Sequence, residues 1–145
     1  MPKPFSLLLV DDDPNDLELF QRALANLPID ATLHTARDGF EALELLHVRG
    51  SEDLPKLLVV DYKMPRMDGV QLLAELQKEQ RFRQIPAVVL TSSHDRRDIE
   101  RAYAAGANAY LVKPVNFNAF NRQVEVLLTF WLQHNHTVAS PGERL

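Results

Sequence analysis

The chain has 145 residues, no cysteine, a formal charge of -4, and ordinary hydrophobic and charged fractions of 46% and 25%. That length suits one domain with a sizeable core. The missing cysteines exclude disulfide and thiol chemistry, and the mild acidity gives no electrostatic case for nucleic acid or a membrane surface.

The apolar runs are too short to span a bilayer. The start "MPKPFSLLLV" has neither the hydrophobic region nor the cleavage site of a signal peptide, so a cytoplasmic protein is expected. The first strand is expected at Ser6–Val10, where "LLLV" shows no polar alternation, as in strands covered on both faces. Asp13 then reads as an N-cap with Pro14 at the first helical position, and Leu17, Phe20, Leu24 and Leu27 form one apolar stripe. A strand at Ala31–Thr35 precedes a second helix, opened by Asp38 and Glu41 at capping-box spacing and carrying Leu43 and Leu46.

Residues 49–55, "RGSEDLP", read as a surface loop, followed by a strand at Lys56–Val60. Asp68 is placed to cap a third helix that turns Val70, Leu73 and Leu76 inward, ahead of a strand at Ala87–Leu90. A fourth helix runs from Asp95 to Ala105 and is closed by Gly106. After a strand at Ala109–Val112, the last helix spans Asn116 to Leu132, with Phe117, Phe120, Val124, Leu127, Leu128 and Trp131 on one face. Five strands alternating with five helices predict an α/β domain over residues 1–132, with a parallel sheet covered on both faces. Residues 133–145 are expected to form a tail with no output domain, in which His134 and His136 are solvated.

The residues that follow the strands carry the chemistry. Asp11, Asp12 and Asp13 follow the first strand, Asp61 the third, Thr91, Ser92 and Ser93 the fourth, and Lys113 the fifth. In an open parallel sheet all these ends lie on one edge, where ligands bind. Asp11, Asp12 and Asp61 cannot all stay ionised side by side without countercharge. Lys113 supplies one charge, and a carboxylate site without histidine or cysteine favours Mg²⁺ over zinc for the remainder. Such a site can bring a phosphoryl group to a carboxylate, with Lys113 and the Thr91 hydroxyl holding its oxygens.

The stretches "LLLVDDDPND", "LLVVDYKMPRMDG", "VVLTSS" and "AGANAYLVKPV" occur in the order found in the receiver domains of two-component response regulators. The chain resembles that family over about residues 5–130. The resemblance implies a flavodoxin-like, CheY-like fold with strand order 2-1-3-4-5. It implies phosphorylation of Asp61, Mg²⁺ held by Asp11, Asp12, Asp61 and the Lys63 main-chain carbonyl, and a switch made of Thr91, Tyr110 and Lys113. It also implies a cis bond between Lys113 and Pro114, and a Lys63 side chain that tunes phosphate lifetime. No role carries over to Asp13, Asn15 or Arg97.

Among receivers, "DDDPNDLELFQRAL", the extended loop near residue 50 and the ending "LLTFWL" look like the stand-alone regulators paired with bacterial phytochromes. The expected partner is therefore a sensor histidine kinase of phytochrome type. The expected response moves the loop after the fourth strand, then Tyr110, and with them the surface of the fourth helix, fifth strand and fifth helix. Val126, Phe130 and Trp131 are candidates for a homodimer or partner surface. Two alternatives stand beside this reading: a haloacid-dehalogenase-like phosphohydrolase with nucleophile and acid at Asp11 and Asp13, and a phosphate-independent adaptor.

Overall fold

A computed structural model describes residues 5–135; the expectations for residues 136–145, His136 included, lie outside the described residues. Five strands, β1 (Phe5–Val10), β2 (Ala31–Ala36), β3 (Leu57–Val60), β4 (Ala87–Thr91) and β5 (Ala109–Val112), form one sheet in the order β2-β1-β3-β4-β5. Every neighbouring pair is parallel. The fold is the flavodoxin-like, CheY-like one, with six α-helices among the described residues where five helices were expected: α1 (Pro14–Ala25), α2 (Gly39–His47), α3 (Gly69–Leu76), α4 (Gln80–Arg83), α5 (Arg96–Ala104) and α6 (Phe117–Thr129).

The side-chain period of two in a strand sorts the apolar runs onto two faces. Leu8, Val10, Leu58 and Val60 pack with α2, α3, α4 and α5 through Ala42, Leu46, Leu72, Leu76, Phe82 and Ala102. Leu7, Leu9, Leu57, Val59 and Leu90 pack on the other face with α1 and α6 through Phe20, Leu24, Phe120, Val124 and Leu128. Each such leucine, valine or phenylalanine side chain, fully buried, contributes roughly 1.5–3 kcal/mol.

The helices start where cap chemistry places them. Asp13, Asp38, Asp68, Asp95 and Asn116 each accept a main-chain N–H of their own first turn. Asp68 and Gln71 complete a reciprocal capping box. At Asp38 the second half is displaced, since Glu41 accepts from Arg37 N (3.3 Å) and Asp38 is bound instead by the Arg66 side chain. Gly106 has φ +113°, and the N–H groups of Gly106 and Ala107 donate to the carbonyls of Tyr103 and Ala102 (3.1 and 3.0 Å), closing α5 in a Schellman turn.

Four expectations need correction. Helix α4 is a single turn that buries Phe82 in a T-shaped contact with His47; one buried residue in four gives no periodicity to read. Phe117 is half exposed and off the packed stripe of α6, which is anchored one turn later at Phe120. Helix α6 ends at Thr129 and passes into a π-helical turn, Phe130–His134, which buries Leu132. Finally, no cis peptide bond occurs among the described residues, so Lys113–Pro114 is trans; that is the isomer favoured at an X–Pro bond by roughly 0.5–1 kcal/mol. Residues 51–53 form one exposed 3-10 turn within the expected loop.

Candidate functional site

The strand order reverses between β1 and β3, and their carboxyl ends open the crevice in which sheets of this kind bind ligands. Main-chain hydrogen bonds hold its rim: Asp11 N to Ala36 O (3.0 Å), Asp61 N to Val10 O (2.9 Å) and Lys113 N to Thr91 O (2.8 Å). Below Asp61 the chain turns back into α3, and Gly69 N donates to Tyr62 O (2.9 Å). A Cβ on Gly69 would lie 2.4 Å from the Asp61 carbonyl oxygen, so only glycine permits that approach.

The structure brings Asp11, Asp12, Asp61, Thr91 and Lys113 to this edge, and the three aspartates of the 11–13 run divide their labour. Asp11 is buried; one carboxylate oxygen accepts from Asp13 N (2.9 Å) and the other from Lys113 Nζ (2.8 Å). Asp12 is exposed, and Asp13 caps α1 by accepting from Asn15 N (2.9 Å). Carboxylate oxygens of Asp11, Asp12 and Asp61 lie within 4.8 Å of one another. An all-oxygen donor set with no histidine or cysteine fits a hard divalent cation.

Lys113, with 8% of its side chain exposed, also reaches Asp16 Oδ2 (2.7 Å) and Asp61 Oδ2 (3.4 Å). Burial works against its charge, but the hydrogen bonds to Asp11 and Asp16, together with the charge attraction of Asp11 and Asp61, outweigh it and hold the ammonium above its usual range. Burial pushes Asp11 up to about 6, against the pull of Lys113.

Thr91 is buried at the end of β4. Two residues on, Ser93 ties its loop to the neighbouring elements: its Oγ donates to Asp98 Oδ2 on α5 (2.6 Å), and its carbonyl accepts from Tyr110 Oη (2.8 Å). Lys63 does not turn its ammonium to the carboxylate cluster. That group lies 3.5 Å from Asp98 Oδ2 and 4.7 Å from the centre of the Tyr62 ring. Sequence reasoning missed Asp16 and Asp98. Asp16 reads as an ordinary first-turn acid, whereas Asp98 left a signal: it shares an i, i+4 stripe with buried Ala102.

The Ser93 hydroxyl, and secondarily Lys63, hold Asp98 below the usual carboxylate range. Its contribution to stability is therefore present above the unfolded-state value and lost as pH falls through the folded one. Asp98→Ala is expected to cost about 1.5–3 kcal/mol in urea unfolding at pH 7, the scale of a hydrogen bond to a charged group. The cost should shrink at pH 3; an equal loss at both pH values would assign it to packing alone.

Val126, Phe130 and Trp131 come together away from this edge. With Ala109, Leu111 and Leu127 they line a groove of about 630 Å³ between the edge strand β5 and α6.

A profile described as the response regulator receiver domain matches residues 7–125. The chain belongs to that family. Receivers are signalling proteins that take a phosphoryl group from histidine kinases. Response regulator Rcp1 of Synechocystis is 35% identical over 142 residues, 96% of this chain and 95% of that one. Its Mn²⁺-bound structure superposes with a TM-score of 0.84 at 34% identity, covering 92% of this chain and 99% of that one. The "Probable methanogenesis regulatory protein FilR2" of Methanothrix harundinacea is 38% identical over 96% of this chain and 89% of its own length. The phosphorylated cyanobacterial phytochrome response regulator RcpA superposes with a TM-score of 0.87 at 32% identity, over 94% of this receiver and 99% of that chain. This receiver is thus a response regulator related to phytochrome response regulators. Among the described residues no helix is long and apolar enough to cross a membrane.

Proposed function

We propose that Asp61 is the phosphoacceptor of a cytoplasmic phosphotransfer switch that works with Mg²⁺. The observation that carries this reading is the convergence of three carboxylates, the Lys113 ammonium and buried Thr91 on the edge between β1 and β3. An Asp61 oxygen attacks the phosphorus of a kinase phosphohistidine. A P–O bond forms as the P–N bond breaks, and the imidazole nitrogen keeps the electron pair. Asp11, Asp12, Asp61 and the Lys63 carbonyl are the residues that would hold Mg²⁺. The ion would supply charge compensation for the transferring phosphoryl oxygens.

The added negative charge on Asp61 draws Lys113 and the Thr91 hydroxyl towards it. Movement of Thr91 pulls on a loop already bonded to Asp98 and Tyr110 through Ser93, so α5, β5 and α6 receive the signal. The chain catalyses only its own phosphorylation and dephosphorylation. The likeness to RcpA supports a phytochrome-type histidine kinase as donor. The groove beside Val126, Phe130 and Trp131 supports a homodimer as output; sedimentation showing only monomer, phosphorylated or not, would remove the dimer.

Incubation with a small acyl phosphate and Mg²⁺ should place label on Asp61, and Asp61→Asn should lose it. Label kept by Asp61→Asn but lost by Asp11→Asn would instead indicate a phosphohydrolase with its nucleophile after β1.

A further inference from the structure

Lys113 has three N–H donors and three carboxylate acceptors: Asp16 at 2.7 Å, Asp11 at 2.8 Å and Asp61 at 3.4 Å. Two of these, Asp11 and Asp61, belong to the cluster whose oxygens can share one cation; Asp16 does not. Given the cation site proposed above, a divalent ion and the ammonium would compete for the same two carboxylates and repel each other across them. Asp16 is the shortest of the three contacts and lies on a different element. Its position is set locally: Asp13 caps α1, Pro14 starts it, and Asp16 falls in the first turn, where the helix dipole favours a negative charge. At 27% exposure its side chain is partly withdrawn from water, and nothing but packing ties it to a lysine 97 residues further along the chain.

We infer that Asp16 is a positioning residue that gives the Lys113 ammonium a carboxylate outside the cation's ligand set, so that the lysine can yield Asp11 and Asp61 to Mg²⁺ and still remain in the site. Without it the ammonium has only Asp11 and Asp61 to bind, and the ion must displace it. Asp16 thereby also sets the carboxylate from which Lys113 is released when phosphoryl charge appears on Asp61.

The test is Mg²⁺ titration by calorimetry of the full chain without phosphoryl donor. Asp16→Asn should weaken Mg²⁺ about tenfold, and Asp16→Glu should recover most of the loss. Glu18→Gln removes an equal charge from the same helix, where it pairs with Arg22 rather than Lys113, and should change affinity less than twofold. In a Lys113→Met background, Asp16→Asn should have little further effect. If that background does not fold, the Asn, Glu and Glu18→Gln comparison still decides.

Unchanged affinity in Asp16→Asn, equal losses in Asp16→Asn and Glu18→Gln, or the same loss with and without Lys113 would each overturn the inference. A parent protein that binds no Mg²⁺ would overturn the cation reading itself, whereas a parent that binds normally leaves any failure with Asp16.

Discussion

Lys113→Met is expected to cost the cation-free protein about 3–5 kcal/mol at pH 8, the usual loss when one partner of a buried ionic cluster is removed. The lysine has 8% of its side chain exposed, and Asp11 has 4%, so water cannot take over the ammonium's role for that carboxylate. The remaining charges on Asp11, Asp12 and Asp61 then face each other with oxygens within 4.8 Å. Two conditions should relieve the loss. At pH 5 Asp11, already raised to about 6 by burial with Lys113 present, takes up a proton and gives up its charge. At pH 8 a divalent cation replaces the missing positive charge. Urea unfolding at the two pH values, with and without Mg²⁺, measures both. An equal loss under all conditions would mean that the lysine stem, not its charge, supports the fold.

The second large effect concerns pH in the unmodified protein. An unfolded chain releases the Asp11 proton near the ordinary carboxylate value, but the folded one retains it to about pH 6. Between about pH 4 and 6 the folded state therefore binds more protons, and stability falls as pH rises. At 1.36 kcal/mol per pH unit, roughly 3 kcal/mol is lost across that window and nothing further above it. The same proton must leave before Asp11 can bind a cation. Mg²⁺ affinity should therefore be nearly constant above pH 7 and about tenfold weaker at pH 5.

Asp11→Asn removes both dependences. It should abolish tight Mg²⁺ binding while stabilising the cation-free protein at pH 8, so binding and folding move in opposite directions. Thermal unfolding of parent and variant at pH 5 and pH 8 checks the sign. A variant less stable than the parent at pH 8 would show that the hydrogen bond from Lys113 outweighs the burial of charge. The comparison bears on function directly, because a cluster that costs stability when empty gains the more from binding the ion.

The sheet and most of the site were legible in the 145 residues because each rests on a local rule, while the strand order came with the family resemblance. Apolar runs without alternation mark strands covered on both faces. Aspartate at the start of an apolar stripe marks a helix cap: Asp13, Asp38 and Asp68, read as caps from sequence, each accept a first-turn N–H, as do Asp95 and Asn116, read only as helix starts. A parallel sheet brings every strand end to one edge, so Asp11, Asp12, Asp61, Thr91 and Lys113 converge once the alternation is recognised. Tertiary packing decided which of several reachable partners each polar side chain takes. Lys113 divides itself among Asp16, Asp11 and Asp61, and Lys63 turns to Asp98, outside the carboxylate cluster. Long side chains choose among carboxylates by differences below an ångström, set by how helices far apart in sequence rest on the sheet. Helix α4 and the exposure of Phe117 follow the same division: a single turn has no period, and the exposed side of a helix depends on what lies against it.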